Sequence, residues 1–320
     1  MRAAFVSTYG QPPRLEEYAE PVAGADEVVV TVKAAGLSQL VRAIVAGKHY
    51  SSPKEPGFIA GTDGVGTLED GAPVYFAFPR APFGTMAEKT VVQRSHVAAL
   101  PAGLDMVNAA AAANPGSSSW AALTRRAKFV KGESVLINGA TGVSGRLAIQ
   151  IARHLGAKTV VATGRNERSI APLKELGADV TLPLEGEPEE VRKRFFEAMD
   201  AAGVSVVLDY LYGDPARRIL EAIAMRDHDE VQPRIRFVQI GSLAGAEIPL
   251  PASLLRSTGV ELMGSGIGSV ETVDLIRGTG EFLAATVSSG MKVETEPIPL
   301  ADVEQAWNRE TGEGRVVFTV

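Results

Sequence analysis

The hydrophobic pattern changes character along the chain. Through about residue 112, short apolar or β-branched runs are punctuated by Gly and Pro: "EVVVTVKAAG", "GVGTL", "APVYFAF" and "KTVV". Runs of this length between turn-forming residues predict strands, so this part reads as a compact β-barrel-like domain. "MVNAAAAANPGSSSWAALTRRAKF" follows, with Ala-rich stretches flanking Asn114-Pro115-Gly116. Proline lacks the helix donor and crowds the preceding turn, so the triplet predicts a break in a bridge between domains.

From Glu133 onward, apolar strands alternate with helices. The candidate strands are 134–138, 159–163, 179–182, 205–209, 236–240 and 260–264. "GRLAIQIARHLG" sets Leu147, Ala148, Ile151, Ala152 and Leu155 on one helical face, and His154 off it, in solvent. Six strands with helical crossovers predict an α/β fold with a doubly wound parallel sheet. "MRDHDEVQPR" reads as a polar surface loop. After "GSGIGS" the pattern predicts a helix near 270–288, a strand in "VETEPIPL", a short helix in "ADVEQAWNRE" and a last strand in "RVVFTV".

Length and composition narrow the class. A chain of 320 residues with 45% apolar content suits about two globular domains. Thirty-two Lys+Arg against 38 Asp+Glu give a net charge of −6, which argues against nucleic acid or an anionic membrane as partner. Without cysteine there is no disulfide and no thiolate metal site, and the four histidines, at 49, 96, 154 and 228, are too scattered to suggest a metal. No run resembles a signal peptide or a membrane span of ~20 apolar residues, so a cytoplasmic setting is expected.

The candidate chemistry centres on Gly139-Ala140-Thr141-Gly142-Val143-Ser144-Gly145, between an apolar strand and an amphipathic helix. That context is the one a dinucleotide fingerprint requires. Gly142 would let backbone approach a pyrophosphate, Gly145 would let the helix pack closely, and the helix N-terminus would offer N–H groups to phosphate. A tight turn without a ligand could carry the same glycines. The second strand ends in Thr163-Gly164-Arg165-Asn166, where an NAD site usually has an acidic residue for the ribose 2′-OH. Arg165, with Arg168 nearby, has the fork geometry for a 2′-phosphate, so NADP(H) is expected over NAD(H); a solvated surface arginine is the plain alternative. Tyr50-Ser51-Ser52-Pro53-Lys54 imitates a YxxxK pair, but Pro53 forbids the helix such a pair needs. "GSGIGS", 264 to 269, suggests close backbone approach to a ligand rather than a second nucleotide.

Taken together, "VKAAGLS", "PGFIAGTDGVGTLEDGAPVYF", "GTMAEKTVV", "VLINGATGVSGRLAIQIARHLGAKTV", "LKELGADV", "VVLDYLYG" and "VQIGS" resemble the corresponding segments of the zinc-free quinone oxidoreductases of the medium-chain dehydrogenase/reductase superfamily. The resemblance implies a GroES-like catalytic domain from 1–113 and 268–320, a Rossmann domain from 114–267, a cofactor cleft and a homodimer formed by pairing of the last sheet strand. It places Ser118 near the nicotinamide and Tyr210, Tyr212, Gly241, Ser242, Gly264 and Ser265 at cofactor-facing strand ends. Thr62-Asp63 stands where zinc-dependent relatives have His-Glu, so a zinc Lewis acid is not expected. Ser38, Val41 and Ala43 stand where relatives carry Asn, Asp and Tyr, so the usual tyrosine is missing.

Without a metal electrophile, reduction of a quinone or an α,β-unsaturated carbonyl asks less of the protein than alcohol oxidation. Tyr50 is the expected proton donor, with Ser38 as a second donor or ribose contact and His49 or water as other sources. Tyr75, Phe76, Phe78 and Phe83 could line an apolar substrate pocket or simply pack the core. The expected activity is thus an NADPH-dependent reductase; an NADP-dependent alcohol or carbonyl dehydrogenase and a non-catalytic NADPH sensor are the alternatives.

Overall fold

Two units divide the chain: Met1–Ser117 with Glu271–Val320, and Ser118–Val270. The computed structural model describes residues 1–227, 229–309 and 314–320, so His228 in the polar loop and the last residue of "ADVEQAWNRE" lie outside the described residues. The N-terminal part of the first unit runs β1 (Arg2–Val6), β2 (Arg14–Glu17), β3 (Glu27–Gly36), α1 (Gln39–Val45), β4 (Phe58–Ile59), β5 (Asp63–Thr67), β6 (Pro73–Ala77), β7 (Lys89–Gln93) and β8 (Val97–Ala99). α2 (Met106–Ala121) follows, and the division between units falls within it.

The expected break at Asn114-Pro115-Gly116 does not occur: α2 passes through Pro115 without interruption. Packing outweighs the ~3 kcal/mol cost of an internal proline. Ala109, Ala110, Ala111 and Ala113 are buried, and Gly116 lies so close to Phe282 that an added Cβ would stand 2.1 Å from its ring. Beyond α2 the chain widens into a π turn over Ala122–Arg126, closed by the Ala127 N–H donating to the Ala122 carbonyl at 2.8 Å.

The second unit alternates β9 (Ser134–Asn138), α3 (Val143–His154), β10 (Val160–Gly164), α4 (Glu167–Ile170), β11 (Val180–Pro183), α5 (Pro188–Ala202), β12 (Val204–Asp209), α6 (Gly213–Ile223), β13 (Ile235–Gln239), α7 (Ala252–Ser257) and β14 (Val260–Gly264). The strands form one parallel sheet in the order β11-β10-β9-β12-β13-β14. Every residue of β9 is buried, which is why "SVLIN" is a continuous run rather than an alternating one. Leu147, Ala148, Ile151 and Ala152 of α3 are buried as the periodicity predicts, and so is Ile149. His154 is exposed.

The chain then returns to the first unit through α8 (Thr272–Ser289), β15 (Thr295–Pro299), α9 (Val303–Ala306) and β16 (Arg315–Thr319). β16 pairs antiparallel with β3 and parallel with β15, so the C-terminus completes a sheet begun at the N-terminus, in the order β15-β16-β3-β5-β6-β8 with β7 also on β3. β2, β1 and β4 form a second sheet. Tyr75 and Phe76 are buried within this unit, Phe76 packing with Val30, Val32 and Val92. Phe83 meets Tyr18 edge-on at 6.0 Å. Among the described residues no helix is long and apolar enough to cross a membrane.

Candidate functional site

The order of the parallel sheet reverses between β9 and β12, the point at which a doubly wound sheet opens a crevice beyond its carboxyl ends. The glycine turn sits there. Gly139 takes φ +86, and the Ala140 N–H donates to the Thr163 carbonyl at 2.8 Å. Gly142 is the N-cap of α3; it offers no capping side chain to the first-turn N–H groups, and nothing lies within 4 Å of where its Cβ would be. Val143 and Ser144 open that turn. A Cβ on Gly145 would stand 2.4 Å from the Gly139 carbonyl oxygen. An uncapped twelve-residue helix beside open space at a switch point fits the pyrophosphate of a dinucleotide.

Beneath the turn lies a polar network that the sequence reading missed. Asn138 Nδ2 donates to Asp209 Oδ1 at 2.8 Å, Thr163 Oγ1 donates to Asn138 Oδ1 at 2.8 Å, and the Gly139 N–H donates to Thr163 Oγ1 at 3.1 Å. Asn138, Thr163 and Asp209 are each 0% exposed. Burial raises the Asp209 carboxyl above its ordinary pKa, against hydrogen bonds from Asn138 and from the N–H groups of Tyr212 and Leu211. The network ties together the ends of β9, β10 and β12. Its sequence signal is a polar residue closing each apolar run, "SVLIN" and "VVLD".

At the end of β10, Arg165 and Arg168 are exposed. Asn166 is spent locally: its side chain accepts from the Ser169 N–H at 3.1 Å while Ser169 Oγ accepts from the Asn166 N–H at 3.2 Å, a reciprocal cap on α4. Gly164 has no room for a side chain, since a Cβ would meet Thr141 Cγ2 at 2.4 Å.

The remaining cofactor candidates also gather at this edge of the sheet. Tyr210 is buried, and its hydroxyl lies 2.7 Å from Ser119 Oγ. Burial pushes that hydroxyl up to about 12, against hydrogen bonding with Ser119 and Ser118. Ser118 is therefore brought to Tyr210, and Ser119 joins them. Tyr212 holds φ 54 and ψ −153, a conformation rare outside glycine, at the start of α6. The Gly241 N–H donates to the Asp209 carbonyl at 3.1 Å, and Ser242 lies beside it, exposed. Gly264 ends β14, and the N–H of buried Ser265 donates to the Gln239 carbonyl at 2.8 Å.

Ser38 and Tyr50 belong to the first unit. Ser38 is 5% exposed and caps α1, its Oγ accepting from the Val41 N–H at 3.1 Å. Tyr50 follows α1 in a turn, 73% exposed, with its ring 4.1 Å from that of His49. Desolvation lowers the His49 pKa. Asp63 of β5 is 4% exposed; burial raises its carboxyl to about 6, against the pull of Arg315 and a hydrogen bond from Thr62. Among the described residues no three His, Cys, Asp or Glu side chains gather where they could hold a metal ion.

A family described as zinc-binding dehydrogenase matches residues 144–278. A probable NADPH-dependent quinone reductase of Emericella nidulans is 29% identical, with 100% of both chains covered. A trans-enoyl reductase of Aspergillus terreus is 27% identical over 69% of this chain and 63% of its own length. The quinone oxidoreductase of Thermus thermophilus, solved alone and with NADPH, is 26% identical with a TM-score of 0.80 and 100% of both chains covered. A mycobacterial quinone oxidoreductase shares the fold at a TM-score of 0.85 and 22% identity over the whole of both chains. With its GroES-like sheet domain and its Rossmann sheet, the chain is similar over its whole length to quinone oxidoreductases of the medium-chain dehydrogenase/reductase superfamily.

Proposed function

We propose that this protein is an NADPH-dependent reductase of quinones or α,β-unsaturated carbonyls. The observation that carries the reading is the uncapped N-terminus of α3 over Gly142, at the switch point of the sheet. Two relatives, a probable NADPH-dependent quinone reductase and a trans-enoyl reductase, agree with it. Bound NADPH supplies a hydride from nicotinamide C4.

The chain's own residues bind and orient. The first-turn N–H groups of α3, with Ala140, Val143, Ser144 and Gly145 shaping the turn, hold the pyrophosphate. Arg165 takes the 2′-phosphate with its guanidinium fork, with Gly164 and Asn166 shaping its base and Thr163 anchoring the turn from below. Ser118, Tyr210, Tyr212, Gly241, Ser242, Gly264 and Ser265 border the nicotinamide half. Charge that develops on a substrate oxygen needs one or two donors. Tyr50 is the proposed proton donor and Ser38 the second; the Ser38 hydroxyl proton remains available because the α1 cap uses only its oxygen as acceptor. The proposed catalytic domain is 1–113 with 268–320, the dinucleotide domain is 114–267, and the sheet edge β14 pairs with a second copy in a homodimer.

The test follows NADPH absorbance with a benzoquinone, a naphthoquinone, a linear enone, a cyclic enone and an aldehyde, repeated with NADH. Rapid loss with quinones or enones and little with NADH is expected. Turnover of the aldehyde alone would move the assignment to a carbonyl dehydrogenase. The 73% exposure of Tyr50 favours one second reading, an NADPH-binding sensor, whose mark is tight NADPH binding with no oxidation by any acceptor.

A further inference from the structure

We propose that Arg126 is a positioning residue that fixes the loop 264–269 over the nicotinamide half of the site. Its Nε donates to the Gly264 carbonyl at 2.7 Å and its Nη1 to the Ser269 carbonyl at 3.3 Å. One guanidinium therefore clasps both ends of the loop that leaves β14.

The post itself is held. Arg126 is the last residue of the π turn Ala122–Arg126, and an inserted wide turn of this kind re-aims the side chains beyond it. Lys128 takes φ 50, and the Phe129 N–H donates to the Leu123 carbonyl at 2.8 Å. From below, buried Arg236 of β13 donates to the Ala127 carbonyl at 2.6 Å and pairs with Glu133. The backbone carrying Arg126 is thus anchored on the sheet whose far strand bears the loop.

Within the loop, the Gly266 N–H donates to Ser269 Oγ at 2.8 Å and the Ser269 N–H to the Gly266 carbonyl at 3.0 Å. The Ser265 N–H ties its start to the sheet through the Gln239 carbonyl. A Cβ added at Gly264 or Gly268 would meet nothing within 4 Å.

The sheet order assigns the loop its half of the ligand. In a doubly wound sheet a dinucleotide lies across the switch point, with the adenosine ribose at the end of the second strand, here β10. The opposite half then lies over β12, β13 and β14, where the loop begins. Arg126 acts there through the loop and touches no phosphate. This proposal rests on the NADPH reading above.

The test compares binding of NADPH with that of adenosine 2′,5′-bisphosphate, which fills only the adenosine half, in wild type, Arg126→Met and Arg126→Lys. For Arg126→Met, NADPH binding and kcat are expected to fall about tenfold, with bisphosphate binding within about twofold of wild type. Arg126→Lys, which keeps one donor group, is expected to show the same split to a smaller degree. Ser269→Ala loosens the loop from within and is expected to repeat the split even if Arg126→Met fails to fold. Equal weakening of both ligands, or NADPH binding and kcat within about twofold of wild type, would overturn the proposal while leaving the cofactor reading intact. Wild-type protein that binds neither ligand would overturn both.

Discussion

Asn138 donates to Asp209 across the ends of β9 and β12 at 2.8 Å, and both side chains are completely buried. The carboxylate also receives the N–H groups of Leu211 and Tyr212, so one buried group fixes the glycine turn on one side and the strained Tyr212 on the other. Removing one partner from such a network leaves buried polar atoms unpaired. Asn138→Leu is expected to cost about 2–3 kcal/mol of stability in the second unit, read by denaturant unfolding. A cost below about 0.5 kcal/mol would show that the network is dispensable.

Gly142 and Gly145 separate ligand effects from folding effects. Gly145→Ala drives a Cβ to within 2.4 Å of the Gly139 carbonyl and 2.5 Å of Ala140 Cα, so the turn must move. Lower thermal stability and lost NADPH binding are expected together. Gly142→Ala meets nothing within 4 Å, and Gly142 has an ordinary φ of −77. Its stability is expected to stay near wild type while NADPH affinity falls about tenfold, by intrusion on the pyrophosphate. Unchanged affinity in Gly142→Ala would remove the phosphate from this turn.

Arg165 carries the expected cofactor preference. Arg165→Glu replaces a fork donor with a like charge beside the 2′-phosphate. The ratio of kcat/KM for NADPH to that for NADH is expected to fall at least about tenfold. An unchanged ratio would shift the assignment to Arg168 or elsewhere.

Asp63 gives a pH dependence with a definite sign. Its folded pKa is raised from 3.8 to about 6, chiefly by burial. The folded state binds the proton more tightly, so the contribution of this group is full below the unfolded pKa and is lost as pH rises through about 6. The stability of wild type relative to Asp63→Asn is therefore expected to shrink between about pH 4 and pH 6.5, as measured by paired thermal melts. A gap that widens over that window would mean that Arg315 dominates burial.

Much of the cofactor unit is legible in the sequence because its signals are local. A buried strand reads as an apolar run, a glycine turn as glycines, and α3 as a periodic stripe; the six parallel strands fall within a residue of the expected bounds. What is not legible depends on distant partners. Pro115 breaks a helix in isolation, but α2 is held through it by packing such as that of Gly116 on Phe282. Asn138 and Asp209 look unremarkable until the sheet sets β9 beside β12. Thr163 and Asn166 read as ligand contacts, yet their side chains also meet local needs, one anchoring the turn and the other capping a helix. Ser38 likewise caps α1, a helix the hydrophobic pattern does not announce.

The most direct test of hydride transfer uses NADPH deuterated at nicotinamide C4, each face in turn, with a linear enone as acceptor. Deuterium from one face only, recovered on the carbon β to the product carbonyl, is the expected result. Enone reduction without label on that carbon, or tight NADPH binding with no product from enones or quinones, would contradict the assignment.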